Sequence, residues 1–395
     1  MVDKLYTFFL FGLVFIIPIE EGGALGEGLT VALLCGIGCL VFFLCNVVSG
    51  KKIVRPNVVF FAALLFIIWS GVSILWSADM VSSIARVKTL ALDLLFAYFL
   101  FSKVSLNGVK NPFLVYVWGC AVALGLLFLE YYRGPSSMDV LEEGRFTAAN
   151  MNQNNLACVL AVGIALAYIL FKSYVTNKFG KVLLVGFILL ASIGIFLTGS
   201  RAGALSVGSF YFILLFMERR SFFSRKGLLF IVVFMFAIFL LSVFVPQYLL
   251  NRVSEGQNAG TFLLRVEIWK AGFEAWIKNP LFGVGSGAYA FSLDNPSLYG
   301  RVAHNTFVSV LVETGIIGFF IYLFLWGGLV RKFLLKSSQQ SFFIILFLIW
   351  FPFAFSLTLD YAKVTWFIWA ILLAGFYPNK RRAIPLGAIS EVKSL

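Results

Sequence analysis

Long apolar runs recur along almost the whole chain. A helix needs about 20 residues to cross a hydrocarbon core of about 30 Å. Runs of that scale, broken by charges or by Gly, Pro and Asn clusters, fall at 4–19, 24–49, 57–76, 89–102, 112–132, 154–171, 182–198, 202–217, 228–245, 315–330, 341–358 and 363–378. The fourth run is short and needs residues from the Arg86 side to cross. The pattern predicts an all-α polytopic membrane protein of about 12 transmembrane helices, a single integral domain over 1–395. Glu20-Glu21-Gly22-Gly23 after the first run is unlike a small-residue cleavage site, so that run is expected to be retained.

Two connections are longer than the spans require: Arg133 to Asn155, and a region over 246–313 between the ninth and tenth spans. Within the second, Leu264, Ile268, Trp269, Phe273 and Trp276 recur at helical spacing until Asn279-Pro280 stops them. Gly283, Gly285 and Gly287 follow. The spacing predicts a helix lying on the membrane interface, its tryptophans at headgroup level, and then a tight glycine turn.

Composition agrees with the pattern. The 395 residues are 61% hydrophobic and 12% charged, against roughly 45–50% and about 25% in soluble domains. Too little polar surface exists for a water-soluble fold. The formal net charge of +13 would suggest nucleic acid in a soluble protein, but here it resolves into topology. With the N-terminus in the cytoplasm, the tight Lys/Arg clusters at 51–55, 219–226, 331–336 and 380–382 all fall on one side. Both termini are therefore expected in the cytoplasm, and nucleic acid drops out as a partner. The five cysteines sit in apolar runs without a CxxC, which argues against disulfides and zinc.

The outer side holds the candidate chemistry. The chain has one histidine, which excludes sites built from several imidazoles. That residue, His304, lies in Ala303-His304-Asn305-Thr306; Arg265 opens Arg265-Val266-Glu267-Ile268-Trp269; and Arg201 sits in the short turn Thr198-Gly199-Ser200-Arg201-Ala202-Gly203. Each has a plain structural reading: a capping histidine, a snorkelling arginine, a loop charge. Their agreement on one face is the signal. The Arg201 turn also offers backbone N–H groups at a helix start, a ready anion site. Arg145, Asn150, Asn152, Gln153, Asn154 and Asn155 join from the other long connection. An Arg-rich polar pocket at headgroup level suits a diphosphate and a sugar, because arginine grips phosphate in a bidentate fork at any working pH.

Other chemistries lack their motifs. There is no HExxH, DxD or GxSxG, and Asp3, Asp79, Asp93, Asp139, Asp294 and Asp360 are dispersed, so neither a metal nor a cofactor is expected. Gly283-Val284-Gly285-Ser286-Gly287 lacks the GK[ST] of a nucleotide loop. Arg86 and Asp93, seven residues apart on one helical face, either pair with each other or line a substrate path. Glu313 falls nine residues after His304, roughly on the opposite face of a continuous helix, so a His–Glu dyad would need a break at Gly315.

These residues resemble a known family. Thr198 to Gly203, Arg265 to Trp269 running on to Asn279-Pro280-Leu281-Phe282-Gly283-Val284-Gly285, and His304-Asn305 leading into Glu313-Thr314-Gly315-Ile316-Ile317-Gly318 are together similar to the bacterial O-antigen ligase and O-antigen polymerase family of envelope glycosyltransferases. The resemblance covers about 195–320 by motif, with Arg145 to Ala157 as a weaker match. It implies a GT-C-like fold of twelve spans in the bacterial inner membrane and a periplasmic active site. The implied reaction moves glycan from undecaprenyl diphosphate without a metal or a nucleotide sugar. It also implies catalytic roles for Arg201, Arg265 and His304. Arg145, Asn152, Asn305, Arg86, Trp269 and Glu313 are the candidate substrate-binding residues around them. The acceptor is expected to be lipid A–core, which makes the chain a ligase; a second lipid-linked glycan as acceptor would make it a polymerase. A transporter of lipid-linked glycan is the remaining alternative. It is disfavoured because the unusual residues gather at one face rather than at the midplane.

Overall fold

The structure is a computed structural model, and it describes residues 1–22, 24–26, 29–51, 53–133, 145–148, 151–217, 257–335, 340–375 and 383–384. Helices dominate it. In chain order they are α1 (Val2–Ile16), α2 (Val31–Val48), α3 (Val58–Val72), α4 (Met80–Asn107), α5 (Lys110–Arg133), α6 (Gln153–Ser173), α7 (Lys178–Leu197), α8 (Arg201–Met217), α9 (Gln257–Lys278), α10 (Thr306–Leu335), α11 (Gln340–Ala354) and α12 (Lys363–Gly375). Two antiparallel ladders of a few residues each, Ala24–Gly26 with Leu29–Thr30 and Ile53–Val54 with Ala383–Ile384, are the only strands among the described residues.

Eight helical segments among the described residues are long and apolar enough to cross a membrane, and Arg201–Leu214, Ile344–Ala354 and Lys363–Gly375 are shorter apolar helices. The chain is a multi-pass membrane protein. The expected span at 228–245 lies outside the described residues. Two boundaries differ from expectation for local reasons. Ala24–Gly26 and Leu29–Thr30 form the first small ladder rather than helix, and Thr30 caps α2 by accepting from the Leu33 N–H at 3.1 Å. The fourth span is longer than its apolar run, since Asp79 accepts from the Ser82 N–H at 2.8 Å and starts α4 nine residues early.

Lipid offers no hydrogen bonds, so each helix buries whatever its neighbours can cover. α6 is buried continuously from Leu156 to Leu170 and α12 from Val364 to Ala374, which makes them interior helices. Close approach relies on small residues. A Cβ at Gly119 of α5 would lie 2.2 Å from the Phe15 carbonyl oxygen of α1. On the outside, Phe61 and Ile68 of α3 and Phe320 and Phe324 of α10 stand exposed, as a lipid-facing surface requires.

α10 is broken at Gly315, whose φ of 65° and ψ of −174° suit only glycine. The break lets the loop 280–287 pair with the helix backbone. Val284 N–H donates to the Val312 carbonyl at 3.0 Å, Gly285 N–H to Glu313 at 2.9 Å, and Ile316 N–H to Pro280 at 3.0 Å. The described part of the long connection thus sits on the bundle with a small core of its own, including Ile268, Ala275, Val284, Tyr289, Leu298 and Val312.

The helix expected before Asn279-Pro280 is present as α9, with a correction to its faces. Its tryptophans turn toward this small core, where Trp269 donates to the Ala303 carbonyl and Trp276 to Pro280. The outward stripe is instead Leu263, Val266, Phe273 and Ile277.

Candidate functional site

The Arg201 turn is closed by its own residues. Gly199 takes φ 61°, and the Ser200 hydroxyl accepts from the Gly203 N–H at 3.2 Å to start α8. A Cβ at Gly203 would meet the Ile195 side chain at 2.7 Å and the Ala157 Cβ at 3.0 Å, so this glycine lets α8 close on α6. Arg145 donates from Nε to the Thr198 carbonyl at 3.0 Å and from Nη2 to Asn154 Oδ1 at 3.1 Å. It therefore clamps the turn to the first residues of α6. Asn152 caps α6 by accepting from the Asn154 N–H at 2.9 Å.

His304 is held by its neighbours on both sides. The Trp269 indole fixes Ala303 at 2.7 Å. Asn305 caps α10, accepting from the Phe307 and Val308 N–H groups at 3.0 and 3.1 Å. Thr306 Oγ1 donates to the Leu357 carbonyl at 2.8 Å and accepts from the Leu359 N–H at 3.0 Å. Between these anchors His304 adopts φ 46°, the one left-handed non-glycine residue among the described residues. Such a conformation persists only where its surroundings over-determine it.

Electrostatics link the three candidate catalytic residues. Partial burial, and then the Arg265 and Arg301 charges, hold the His304 imidazole below its ordinary pKa of 6.5. Burial followed by the Arg201 charge acts on Arg265 in the same direction, though a guanidinium stays charged regardless. Three residues from three separate segments thus share one electrostatic neighbourhood.

A cavity of about 460 Å³ opens beside His304. Asn152, Asn155, Tyr361, Glu20 and Lys363 are among its walls, whereas Arg201 and Arg265 are not. Lys363 pairs there with Glu20, joining the start of α12 to the turn after α1.

Arg86 and Glu313 belong to a separate cluster. Arg86 Nη1 lies 2.9 Å from Asp360 Oδ2 and 3.3 Å from Glu313 Oε2, and its guanidinium stacks 3.7 Å from the Tyr361 ring centroid. Glu313 also accepts from the Gly287 N–H at 2.7 Å and the Ser309 hydroxyl at 3.0 Å. The expected Arg86–Asp93 pair is therefore absent. The carboxylates of the α10 break and of the α11–α12 connection capture Arg86 instead, and both Asp93 oxygens lack a hydrogen-bond partner among the described residues. No His–Glu dyad forms: His304 precedes the helix rather than riding on it, and Glu313 is occupied by Arg86.

His304 and Asn152 line one cavity, while Arg265 stands near enough to act on His304, and Arg201 near enough to act on Arg265, through their charges. Arg145, Trp269 and Asn305 hold the segments that carry them. Asp360, Tyr361, Lys363 and Glu20 were not singled out by sequence reasoning. The signal was a short polar stretch, Thr358 to Lys363, between two apolar runs. Among the described residues no group of three or more His, Cys, Asp and Glu is placed to hold a metal ion.

Comparison with known families agrees with the geometry. Residues 185–323 match the O-antigen ligase family model, a stretch that contains all three residues and extends slightly beyond the motif-based resemblance at both ends. The match covers about a third of the chain and agrees with the resemblance to the O-antigen ligase and polymerase family. A search of curated proteins gives no match.

Proposed function

We propose that this chain, matched to the O-antigen ligase family over residues 185–323, transfers a glycan from an undecaprenyl-diphosphate carrier to a hydroxyl of lipid A–core. In this reading the fold is GT-C-like and lies in the bacterial inner membrane. Both termini are in the cytoplasm, and the 246–313 region with the end of the bundle carrying His304 faces the periplasm. The observation that supports the proposal is the family match over 185–323, a stretch that holds Arg201, Arg265 and His304.

The acceptor hydroxyl attacks the anomeric carbon as the bond to the lipid diphosphate breaks. The hydroxyl proton passes to His304, and the electron pair leaves with the diphosphate. A single displacement inverts the anomeric centre. His304 suits the base role because burial, then Arg265 and Arg301, favour its neutral form. Arg201 and Arg265 supply fixed positive charge where negative charge develops on the departing oxygen. Two guanidiniums that repel each other before the donor arrives are relieved when a diphosphate binds between them. The scheme calls for no metal ion.

Purified protein in lipid nanodiscs, given lipid A–core and a lipid-linked glycan, tests this directly. Glycan should move onto lipid A–core in the wild type and not in His304→Ala. Longer lipid-linked glycan with untouched lipid A–core would assign a polymerase instead. Donor that crosses the membrane unreacted would assign a transporter.

A further inference from the structure

Glu20 and Lys363 form the second ion pair near the site, and it differs in kind from the Arg86 cluster. Arg86 and its two carboxylates are sealed, with side chains 13% and 3% exposed, whereas Lys363 and Glu20 remain 29% and 31% exposed and line the cavity that His304 lines. The pair spans 343 residues of sequence. Thr89 and Thr358 line the same walls; the Thr89 hydroxyl donates to the Ala85 carbonyl at 3.0 Å, and the buried Thr358 Oγ1 has no hydrogen-bond partner among the described residues. Asn155 and Tyr361 complete a rim of amide and phenol.

We infer that this part of the cavity is the acceptor's saccharide subsite and that Glu20 and Lys363 determine which sugar it takes. The inference rests on the transferase reading above and adds the ligand class. The division of the site points to the acceptor. His304, which must touch the attacking hydroxyl, lines the cavity, while the two arginines assigned to the diphosphate do not. The donor's phosphates therefore bind on the arginine side, and the space beside His304 is left to the acceptor. The chemistry fits a hexose ring with adjacent free hydroxyls. A carboxylate accepts from two neighbouring hydroxyls at once, and an ammonium donates to ring or hydroxyl oxygens. A volume of about 460 Å³ lies within the roughly 300–1,000 Å³ range of small-molecule sites. At 29% and 31% exposure both charged groups remain open to a ligand in the cavity.

The test uses the full-length protein with Glu20→Gln, Lys363→Met and the exchanged pair Glu20→Lys/Lys363→Glu. Two probes are titrated calorimetrically, core oligosaccharide released from lipopolysaccharide by mild acid and the oligosaccharide of the lipid-linked repeat unit. Neither measurement requires transfer. One of the probes should bind the wild type, and each single variant should weaken it at least tenfold. In turnover assays the acceptor KM should rise by a similar factor while the donor KM stays within twofold. The exchanged pair separates recognition from structure: restored ion pairing should leave acceptor binding impaired. Unchanged affinity in the single variants, full recovery in the exchanged pair, or no binding of either probe to the wild type overturns the inference. A wild-type protein that binds a probe but transfers nothing defeats the transferase reading and leaves the saccharide subsite standing.

Discussion

The Trp269 indole donates a 2.7 Å hydrogen bond to the carbonyl of Ala303, the residue immediately before His304. Trp269 lies one helical turn after Arg265 on α9, so a single bond couples the placement of the proposed base to the helix that carries Arg265. Trp269→Phe keeps most of the ring and removes the bond. The direct loss is about 1 kcal/mol, but displacement of a reacting group by ~1 Å costs about 100-fold in rate. A kcat reduced at least tenfold, with a thermal midpoint near that of the wild type, is the expected result. A midpoint that falls sharply while kcat holds would show the bond to be purely structural.

His304 gives the reaction a predictable acid limb. Protonation removes the base, so activity rises with pH through the imidazole pKa and then levels. Burial and the neighbouring arginines hold that pKa below 6.5 in the free protein, which places the limb of kcat/KM for the donor below pH 6.5. A bound diphosphate brings negative charge beside the imidazole and favours its charged form. The limb of kcat should therefore lie at higher pH than that of kcat/KM. Profiles measured from pH 4.5 to 8 check both positions, and limbs in the opposite order would remove His304 from the role of base.

Arg265→Lys preserves charge and discards the fork. A lysine still attracts phosphate as a point charge, so the donor KM should change modestly. The second hydrogen bond to the leaving group is lost, and kcat should fall by about 100-fold on the scale of removing one oxyanion donor. Arg265→Gln should lose more, because it forfeits both charge and geometry. Lysine at wild-type kcat would show that field alone suffices at this position.

Eight of the expected spans were legible because lipid thickness sets a minimum length for an apolar helix that crosses it. Helix starts were read less well: Thr30, Asp79 and Asn305 cap helices that begin seven to nine residues away from where the apolar runs begin. Pairing across the bundle could not be read. Arg86 lies on one helical face with Asp93, and periodicity offers that partner, yet packing delivers Glu313 and Asp360 from 227 and 274 residues away. Glu20 and Lys363 are farther apart still. The α9 tryptophans illustrate the same limit. Spacing identified the amphipathic stripe, but only the loop folding back over the helix determined that Trp269 faces protein rather than headgroups.

That long-range pairing also makes Arg86 a keystone for stability rather than for chemistry. It neutralises two buried carboxylates at 2.9 and 3.3 Å, and through Glu313 it anchors the Gly287 N–H of the loop on the α10 break. Arg86→Met preserves much of the side-chain volume and leaves Asp360 and Glu313 without their counter-charge. Breaking a buried pair by removing one partner costs about 3–5 kcal/mol. Arg86→Met should therefore lower the thermal midpoint strongly in detergent. Adding Glu313→Gln and Asp360→Asn to that variant removes the stranded charges and should recover part of the loss. Because Tyr361 stacks on Arg86 and lines the cavity, the recovered triple variant should still bind acceptor more weakly than the wild type. If Arg86→Met unfolds at the wild-type temperature, the cluster is not what holds the loop to the bundle.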